Sequence, residues 1–298
     1  MNRILIIGTH SFIGTNFLAL SENKKIIEVS LKEYKPEQID FNQFDIVLHL
    51  AAVVHQSKKI SELEYFRVNR DLCVNVAEEA KKAGVKQFIF LSTIKVYGTF
   101  VPGSDPWTED TVCHPNDSYG RSKYEAEIEL RKLESPEFKV AIIRTPIVYG
   151  TGVSANILKL IKLIEKFPFL PFRDVNNNRH YTFVGNLIGF IDKIIEIRAS
   201  GTFIVMDDSP ISTANLVQTI AHFMHRKLFL FRVPKLIIMA GIKLRPAIFD
   251  RLYGSFYLDN SKTKIELNYT PPFTSQDGLS NMISAYMDSR NKVDTLNK

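Results

Sequence analysis

The fold is decided by the stretch Ile4-Leu5-Ile6-Ile7-Gly8-Thr9-His10-Ser11-Phe12-Ile13-Gly14. Its first four residues form an apolar run typical of a buried strand. The glycines and small residues that follow predict a tight turn into a helix. Backbone N–H groups at such a turn can approach a pyrophosphate, and the helix N-terminus adds a partial positive charge. Taken alone, the stretch fits both a dinucleotide site and a purely conformational turn.

Outward from this stretch, short apolar runs alternate with helical patterns. The runs that predict buried strands are Ile4–Ile7, Ile26–Ser30, Ile46–Leu50, Phe88–Ser92 and Val140–Arg144. The segments with helical spacing of apolar residues are Glu62–Ala83 and Asp117–Leu133. This alternation predicts an α/β fold with a doubly wound parallel sheet of the Rossmann type.

The alternation weakens from about Thr151, where Pro, Asn and aromatic residues accumulate. We therefore expect residues 1–150 to form a dinucleotide-binding domain that also carries the catalytic residues. Residues 151–298 are expected to form mainly a smaller C-terminal α/β substrate lobe. Part of that lobe, about residues 200–225, is expected to return to the main sheet through a strand at Thr202–Met206.

Composition restricts the class of protein. The 298 residues are 45% apolar with a formal charge of +6, which excludes intrinsic disorder. The basic residues are scattered among acidic ones, so no nucleic-acid partner is expected. Cys73 and Cys113 are too few for a disulfide framework and lack the paired spacing of a zinc site, so we expect a cytoplasmic location and no metal.

Neither a secretory signal nor a transmembrane segment is expected. Gly8 interrupts the first apolar run, and Val233–Leu244 is too short to span a bilayer. Core packing is the simplest expectation for the apolar residues of Pro234–Leu244. A cover over the substrate and a contact with the membrane surface are the alternatives.

A second small-residue segment, Leu50-Ala51-Ala52, ends the third predicted strand and leaves room for a ligand at the carboxyl edge of the sheet. The second strand ends in Ser30, not in the acidic residue that holds a ribose 2′-hydroxyl, and Lys32 follows. This favours NADP over NAD, although a solvated surface lysine explains Lys32 equally well. The residues predicted to contact the cofactor here are Gly8, Ser11, Phe12, Ile13, Gly14, Ser30, Lys32, Leu50, Ala51 and Ala52.

The predicted chemical centre lies on the helix that begins near Asp117. Tyr119 and Lys123 are four residues apart and therefore share one helix face. A lysine there stabilises a phenolate, so that the tyrosine can exchange a proton with a substrate hydroxyl. Ser92 and Thr93 end a buried strand at the same sheet edge, where they either bind the substrate oxygen or satisfy local backbone groups.

Together these residues resemble the extended short-chain dehydrogenase/reductase superfamily, the group of nucleotide-sugar epimerases, dehydratases and reductases, over essentially the whole chain. The motifs that carry the resemblance are Gly8 to Gly14, Leu50-Ala51-Ala52, Asn69, Ser92-Thr93 with Val96-Tyr97-Gly98, Tyr119-x-x-x-Lys123, and Arg144-Thr145-Pro146 with Val148-Tyr149-Gly150.

The resemblance implies a role for each matching residue. Thr93 is implied as the catalytic hydroxyl that also contacts the substrate, Tyr119 as the acid/base, and Lys123 as the residue that binds the cofactor ribose and stabilises the phenolate. Asn69 and Ser92 are implied on the cofactor side. The residues implied in contact with a nucleoside-diphosphate sugar, most simply a UDP-sugar, are Asn156, Arg179 and Arg251.

The reaction is narrowed by the two residues after Thr93. Dehydratases of the family carry an Asp-Glu pair there, and this chain has Ile94 and Lys95, so dehydration is not expected. The second half resembles bacterial reductases of UDP-4-keto-6-deoxy-N-acetylhexosamines, which serve cell-surface polysaccharide synthesis. We therefore expect a 4-ketoreductase using NAD(P)H, with a UDP-hexose 4-epimerase using bound NAD as the alternative.

Two further possibilities follow from the fold class. A non-catalytic dinucleotide-binding protein on the same fold is not favoured, because Thr93, Tyr119 and Lys123 are all present. A homodimer through Glu62–Ala83 and Asp117–Leu133 is possible, although packing of these helices on their own sheet explains their apolar residues equally well.

Overall fold

The computed structural model describes residues 2–21, 25–54, 60–101, 103–244, 249 and 252–296. Its strands are β1 (Arg3–Ile7), β2 (Lys25–Val29), β3 (Ile46–His49), β4 (Gln87–Thr93), β5 (Lys139–Thr145), β6 (Ile147–Tyr149), β7 (Phe169–Leu170), β8 (Tyr181–Phe183), β9 (Gly201–Ile204) and β10 (Phe229–Leu230). Its α-helices are α1 (Phe12–Leu20), α2 (Glu62–Phe66), α3 (Leu72–Lys82), α4 (Ser118–Lys132), α5 (Ala155–Lys166), α6 (Val184–Glu196), α7 (Thr213–Phe223), α8 (Lys235–Leu244), α9 (Ser261–Leu267) and α10 (Ser275–Leu296).

A six-stranded parallel sheet has the order β2-β1-β3-β4-β5-β9. Because the chain moves outward from β1 in both directions, the order reverses beside β1, which is the place where ligands bind in such sheets. The predicted doubly wound α/β fold is confirmed. The observed ends of these strands differ from the predicted ends by at most two residues.

Alternate side chains of each central strand enter different cores. Ile4 and Ile6 of β1 pack on the side that holds Phe17 of α1 and the apolar face of α6. Leu5 and Ile7 face Cys73 and the other buried residues of α3 and α4. Helices therefore cover both faces of the sheet. Because the strands are parallel, the carboxyl ends of β1, β3 and β4 lie at one edge.

The C-terminal half adds two small parallel pairs, β6 with β8 and β7 with β10, and β9 lies beside β5 in the main sheet. The division into two lobes stays a prediction. The expectation of core packing for the apolar segment Pro234–Leu244 is wrong for Leu236, Ile237 and Met239, which α8 exposes to solvent. Within the described ranges, no helix is long and apolar enough to cross a membrane.

Candidate active site

The turn after β1 has the geometry that a close approach of two backbones requires. Gly8 has a φ of +116°, and a Cβ there would lie 3.0 Å from the backbone nitrogen of Ala51. Glycine is therefore required by both conformation and space. Gly14 is confined by side chains, because a Cβ would lie 2.7 Å from the Ser11 hydroxyl oxygen.

Ser11 caps the helix that follows. Its hydroxyl accepts a hydrogen bond of 3.0 Å from the Gly14 amide. The amides of Phe12 and Ile13 belong to the first turn, where no carbonyl of the same helix is available. A bare glycine surface next to these amides and the positive end of α1 fits a pyrophosphate group.

The segment after β3 is held in place by Asn69, which is completely buried. Its amide group accepts from the Val53 nitrogen at 2.7 Å and donates to the Val53 carbonyl and to the Ser122 hydroxyl of α4. Asn69 thus joins Val53, which follows the Leu50-Ala51-Ala52 segment, to Ser122 of α4. In this position its side chain acts on the shape of the site through Val53 and Ser122.

The end of β2 carries the two residues on which the cofactor preference depends. The buried Ser30 hydroxyl accepts from the Lys32 amide at 3.2 Å, and the Lys32 side chain is exposed. On the same strand, a buried carboxylate oxygen of Glu28 lies 2.9 Å from the position that a Cβ of Gly14 would take.

Thr93, Tyr119 and Lys123 meet where β4 ends and α4 begins. Asp117 caps α4 by accepting from the Gly120 amide at 2.7 Å, which places Tyr119 in the first turn. A hydrogen-bonding contribution from the Thr93 side chain lowers the pKa of the Tyr119 phenol. Lys123, one turn later, is buried with its Nζ 4.0 Å from the centre of the Phe90 ring.

Burial sets the pKa of both ionisable groups in this cluster. It raises the pKa of Tyr119 to about 12, with the Asp117 charge adding to the rise and the Thr93 hydrogen bond opposing it. Burial lowers the pKa of Lys123 to about 8. At neutral pH Tyr119 is therefore a phenol that can donate a proton, beside a lysine that carries its charge.

Comparisons with known proteins identify the family of the chain. Residues 4–205 match the model of the NAD dependent epimerase/dehydratase family. The chain belongs to this family. A UDP-glucose 4-epimerase of Vibrio cholerae is 32% identical over 97% of both chains. A 4-epimerase of Escherichia coli O157:H7, named for N-acetyl-alpha-D-glucosaminyl-diphospho-ditrans,octacis-undecaprenol, is 27% identical over 80% of this chain and 78% of its own.

Solved structures share the fold of this epimerase/dehydratase family member. A UDP-glucuronic acid 4-epimerase from Bacillus cereus in complex with NAD superposes with a TM-score of 0.74 at 19% identity, covering 96% of this chain and 99% of that one. A protein called RMD from Pseudomonas aeruginosa, complexed with NADPH, has a TM-score of 0.77 at 15% identity and covers 97% and 100%. The predicted family resemblance is confirmed, and the protein is an enzyme of this family.

The protein contains a buried ion pair between α4 and β5, beside Ser92, that was not predicted from the sequence. Glu127, one turn after Lys123, is fully buried and pairs with Arg144 of β5 at 2.7 Å. The Ser92 hydroxyl donates to the same carboxylate at 2.5 Å, so Ser92 faces this ion pair. Two features of the sequence point to this pair: the four-residue spacing of Glu127 from Lys123, and the charged Arg144 directly after the apolar run Val140–Ile143.

A second ion pair lies at the N-terminus of α4. Lys95, just after Thr93, contacts the carboxylate of Asp117, the residue that caps α4. Ile94 is buried. The two positions that hold the acid and base of dehydratases thus hold an apolar side chain and a cation already engaged with α4.

Two of the three predicted substrate residues, Asn156 and Arg179, lie in the described part of the chain. Arg179 is buried, donates to the Gly254 carbonyl at 3.0 Å and lies over the Phe256 ring. Asn156 is exposed in the first turn of α5. Arg251 lies outside the described residues. The structure brings Arg179 to the C-terminal segment around Gly254, and the roles of all three residues stay predictions.

Proposed function

We propose that the protein is a nucleotide-sugar 4-epimerase that works with bound NAD. The observation that carries the proposal is the end-to-end likeness to a UDP-glucose 4-epimerase, combined with Thr93, Tyr119 and Lys123 at one sheet edge. This reverses the order that the sequence favoured, in which a ketoreductase came first.

The residues at the sheet edge divide the work of the reaction. In the proposal, the Thr93 hydroxyl holds the C4 oxygen of the sugar. Tyr119 must first lose its own proton; as the phenolate it takes the C4 hydroxyl proton and later returns it. The Lys123 cation stabilises the phenolate form of Tyr119, because opposite charges in a buried site attract strongly. Bound NAD supplies a hydride acceptor at C4 and, once reduced, a hydride donor.

The chain's own residues fit that cofactor at the Gly8 to Gly14 turn, where the glycines leave room for a pyrophosphate beside the first amides of α1. Two charges near β2 act in opposite senses on the choice of dinucleotide. Lys32 attracts the additional phosphate of NADP, whereas the carboxylate of Glu28 repels it. We assign NAD because the Glu28 carboxylate lies beside the glycine turn, whereas the Lys32 side chain is exposed to solvent.

A 4-ketoreductase is the second candidate, and exposed Lys32 after Ser30 is the observation that favours it. A reductase consumes a reduced cofactor at each turnover, and NADPH is the usual donor for such steps. For both candidate functions the proposed substrate is a nucleoside-diphosphate sugar, and Asn156, Arg179 and Arg251 are proposed to contact it. The position of Lys95 against Asp117 makes dehydration the least favoured chemistry.

One experiment separates the two candidates. The protein is purified without added cofactor, denatured, and the released nucleotide is identified. It is also incubated with UDP-N-acetylglucosamine, UDP-glucose, or an enzymatically generated UDP-4-keto-6-deoxy-N-acetylhexosamine. Co-purified NAD and interconversion of the 4-epimers support the epimerase. Stoichiometric oxidation of added NADPH by the 4-keto sugar, with no interconversion, would establish the reductase instead.

A further inference from the structure

The surface where β7 and β10 pair exposes four phenylalanines. Phe169 and Phe229 face each other in register, 60% and 59% exposed, with ring centres 5.6 Å apart. Phe167 and Phe231 flank them and are also exposed. Aromatic rings stacked on each other in solvent leave a large apolar area uncovered.

Helix α8 begins four residues after Phe231 and exposes further apolar side chains. Leu236 and Leu244 are each 79% exposed, and Ile237 and Met239 are exposed as well. The opposite side of α8 packs through Gly241 against the ring of Phe249, which stacks on Tyr253. The helix is therefore attached to the body of the protein and presents its outer apolar face to solvent.

The same segment is strongly basic. Arg226–Leu244 contains five basic residues and no acidic one. Lys227 and Lys243 are exposed, and Lys166 and Arg173 are exposed beside β7. Two carboxylates lie close by, and both are engaged: Asp174 with Arg232, and Glu165 with Arg290.

We propose that this aromatic–basic surface, formed by Phe167, Phe169, Phe229, Phe231 and the outer face of α8 with its flanking cations, docks on an anionic phospholipid bilayer. Apolar side chains that enter the headgroup region, surrounded by lysine and arginine, are what such a surface binds. A second copy of the chain is a poorer occupant, because a twofold contact would place this cationic surface against itself. The proposal does not depend on the proposed reaction.

Vesicle cosedimentation tests the proposal with the intact protein. Vesicles of equal parts phosphatidylglycerol and phosphatidylcholine are compared with vesicles of phosphatidylcholine alone. We expect binding to the anionic vesicles, weakened by added salt. The double variant Lys227→Ala/Lys243→Ala should bind roughly 25-fold more weakly, or about fivefold for each cation. Leu236→Ser/Leu244→Ser should lose roughly tenfold through the apolar term.

Matched controls lie elsewhere on the surface. Ile265 of α9 is also 79% exposed, so Ile265→Ser should leave binding unchanged, as should Lys25→Ala/Lys86→Ala at two other exposed lysines. Unaltered thermal unfolding and cofactor binding show that each variant is folded. Equal binding to neutral vesicles, or equal losses in the controls, would overturn the proposal. Loss of self-association in the surface variants would assign the surface to a second copy.

Discussion

The buried pair of Glu127 and Arg144 allows a quantitative prediction for Glu127→Gln. The change removes the negative charge and keeps the shape of the side chain. In the wild type the carboxylate accepts from Arg144 at 2.7 and 3.2 Å and from Ser92 at 2.5 Å. Burial lowers the pKa of Arg144, but the hydrogen bonds and charge of Glu127 outweigh it and raise that pKa above its ordinary value.

Removing one partner of a buried ion pair costs about 3–5 kcal/mol, because the other charge stays in the interior without compensation. Glutamine still accepts one hydrogen bond, and Arg144 keeps the Tyr97 hydroxyl and the Glu109 carbonyl. The lower end of the range therefore applies, and we expect a loss of about 3 kcal/mol in the free energy of unfolding. For a chain of this size that corresponds to a fall of roughly 6–12 °C in the midpoint of thermal unfolding.

Urea unfolding followed by circular dichroism measures this loss. Glu129→Gln is the matched control on the same helix, because Glu129 is 41% exposed and pairs with an exposed Lys132. Its effect should be within about 0.5 kcal/mol of zero. If the Glu127 and Glu129 variants differed by less than about 1 kcal/mol, the buried pair would not hold α4 against β5 as we infer.

Three further predictions concern single side chains at or near the site. Tyr119→Phe should lower turnover by roughly two to four powers of ten with unchanged content of bound cofactor; undiminished turnover would exclude Tyr119 as the acid/base. Lys123→Met should stabilise the ligand-free protein by about 3 kcal/mol at pH 7, because burial lowers the Lys123 pKa from 10.5 to about 8. The wild type alone should gain stability from pH 8 to 10.5, and parallel stability curves would contradict this. Burial and the Lys123 charge lower the pKa of His49 to about 3. His49 therefore stays neutral in the folded protein, whereas in the unfolded chain it is protonated below about pH 6.5. Wild type should therefore lose about 2 kcal/mol of unfolding free energy from this group between pH 7 and pH 5, a loss that urea titrations of His49→Leu should not show.

The sheet and the Tyr119–Lys123 helix face could be predicted because both depend on local patterns. Apolar runs separated by helical segments determine a parallel sheet, and a four-residue spacing determines a shared helix face. The glycine turn likewise follows from the steric needs of two residues, Gly8 and Gly14.

Long-range partners could not be predicted. A glutamate four residues after Lys123 is read as a solvated side chain until Arg144 of β5 is placed beside it. Asn69 joins Val53 and Ser122, which are far apart in sequence and meet only in the fold. The apolar pattern of α8 predicts burial, because sequence periodicity does not reveal that its outer face has no neighbour.

Transfer of a hydride from C4 of a sugar and back to the same carbon is the central claim of the account. The most direct test supplies UDP-glucose deuterated at C4, with no added cofactor, and follows the 4-epimers by NMR. We expect interconversion with deuterium retained at C4 in both epimers, and no interconversion by Tyr119→Phe. Interconversion with loss of deuterium to solvent would contradict hydride transfer, and an inert wild type that oxidises NADPH with a 4-keto sugar would contradict epimerisation.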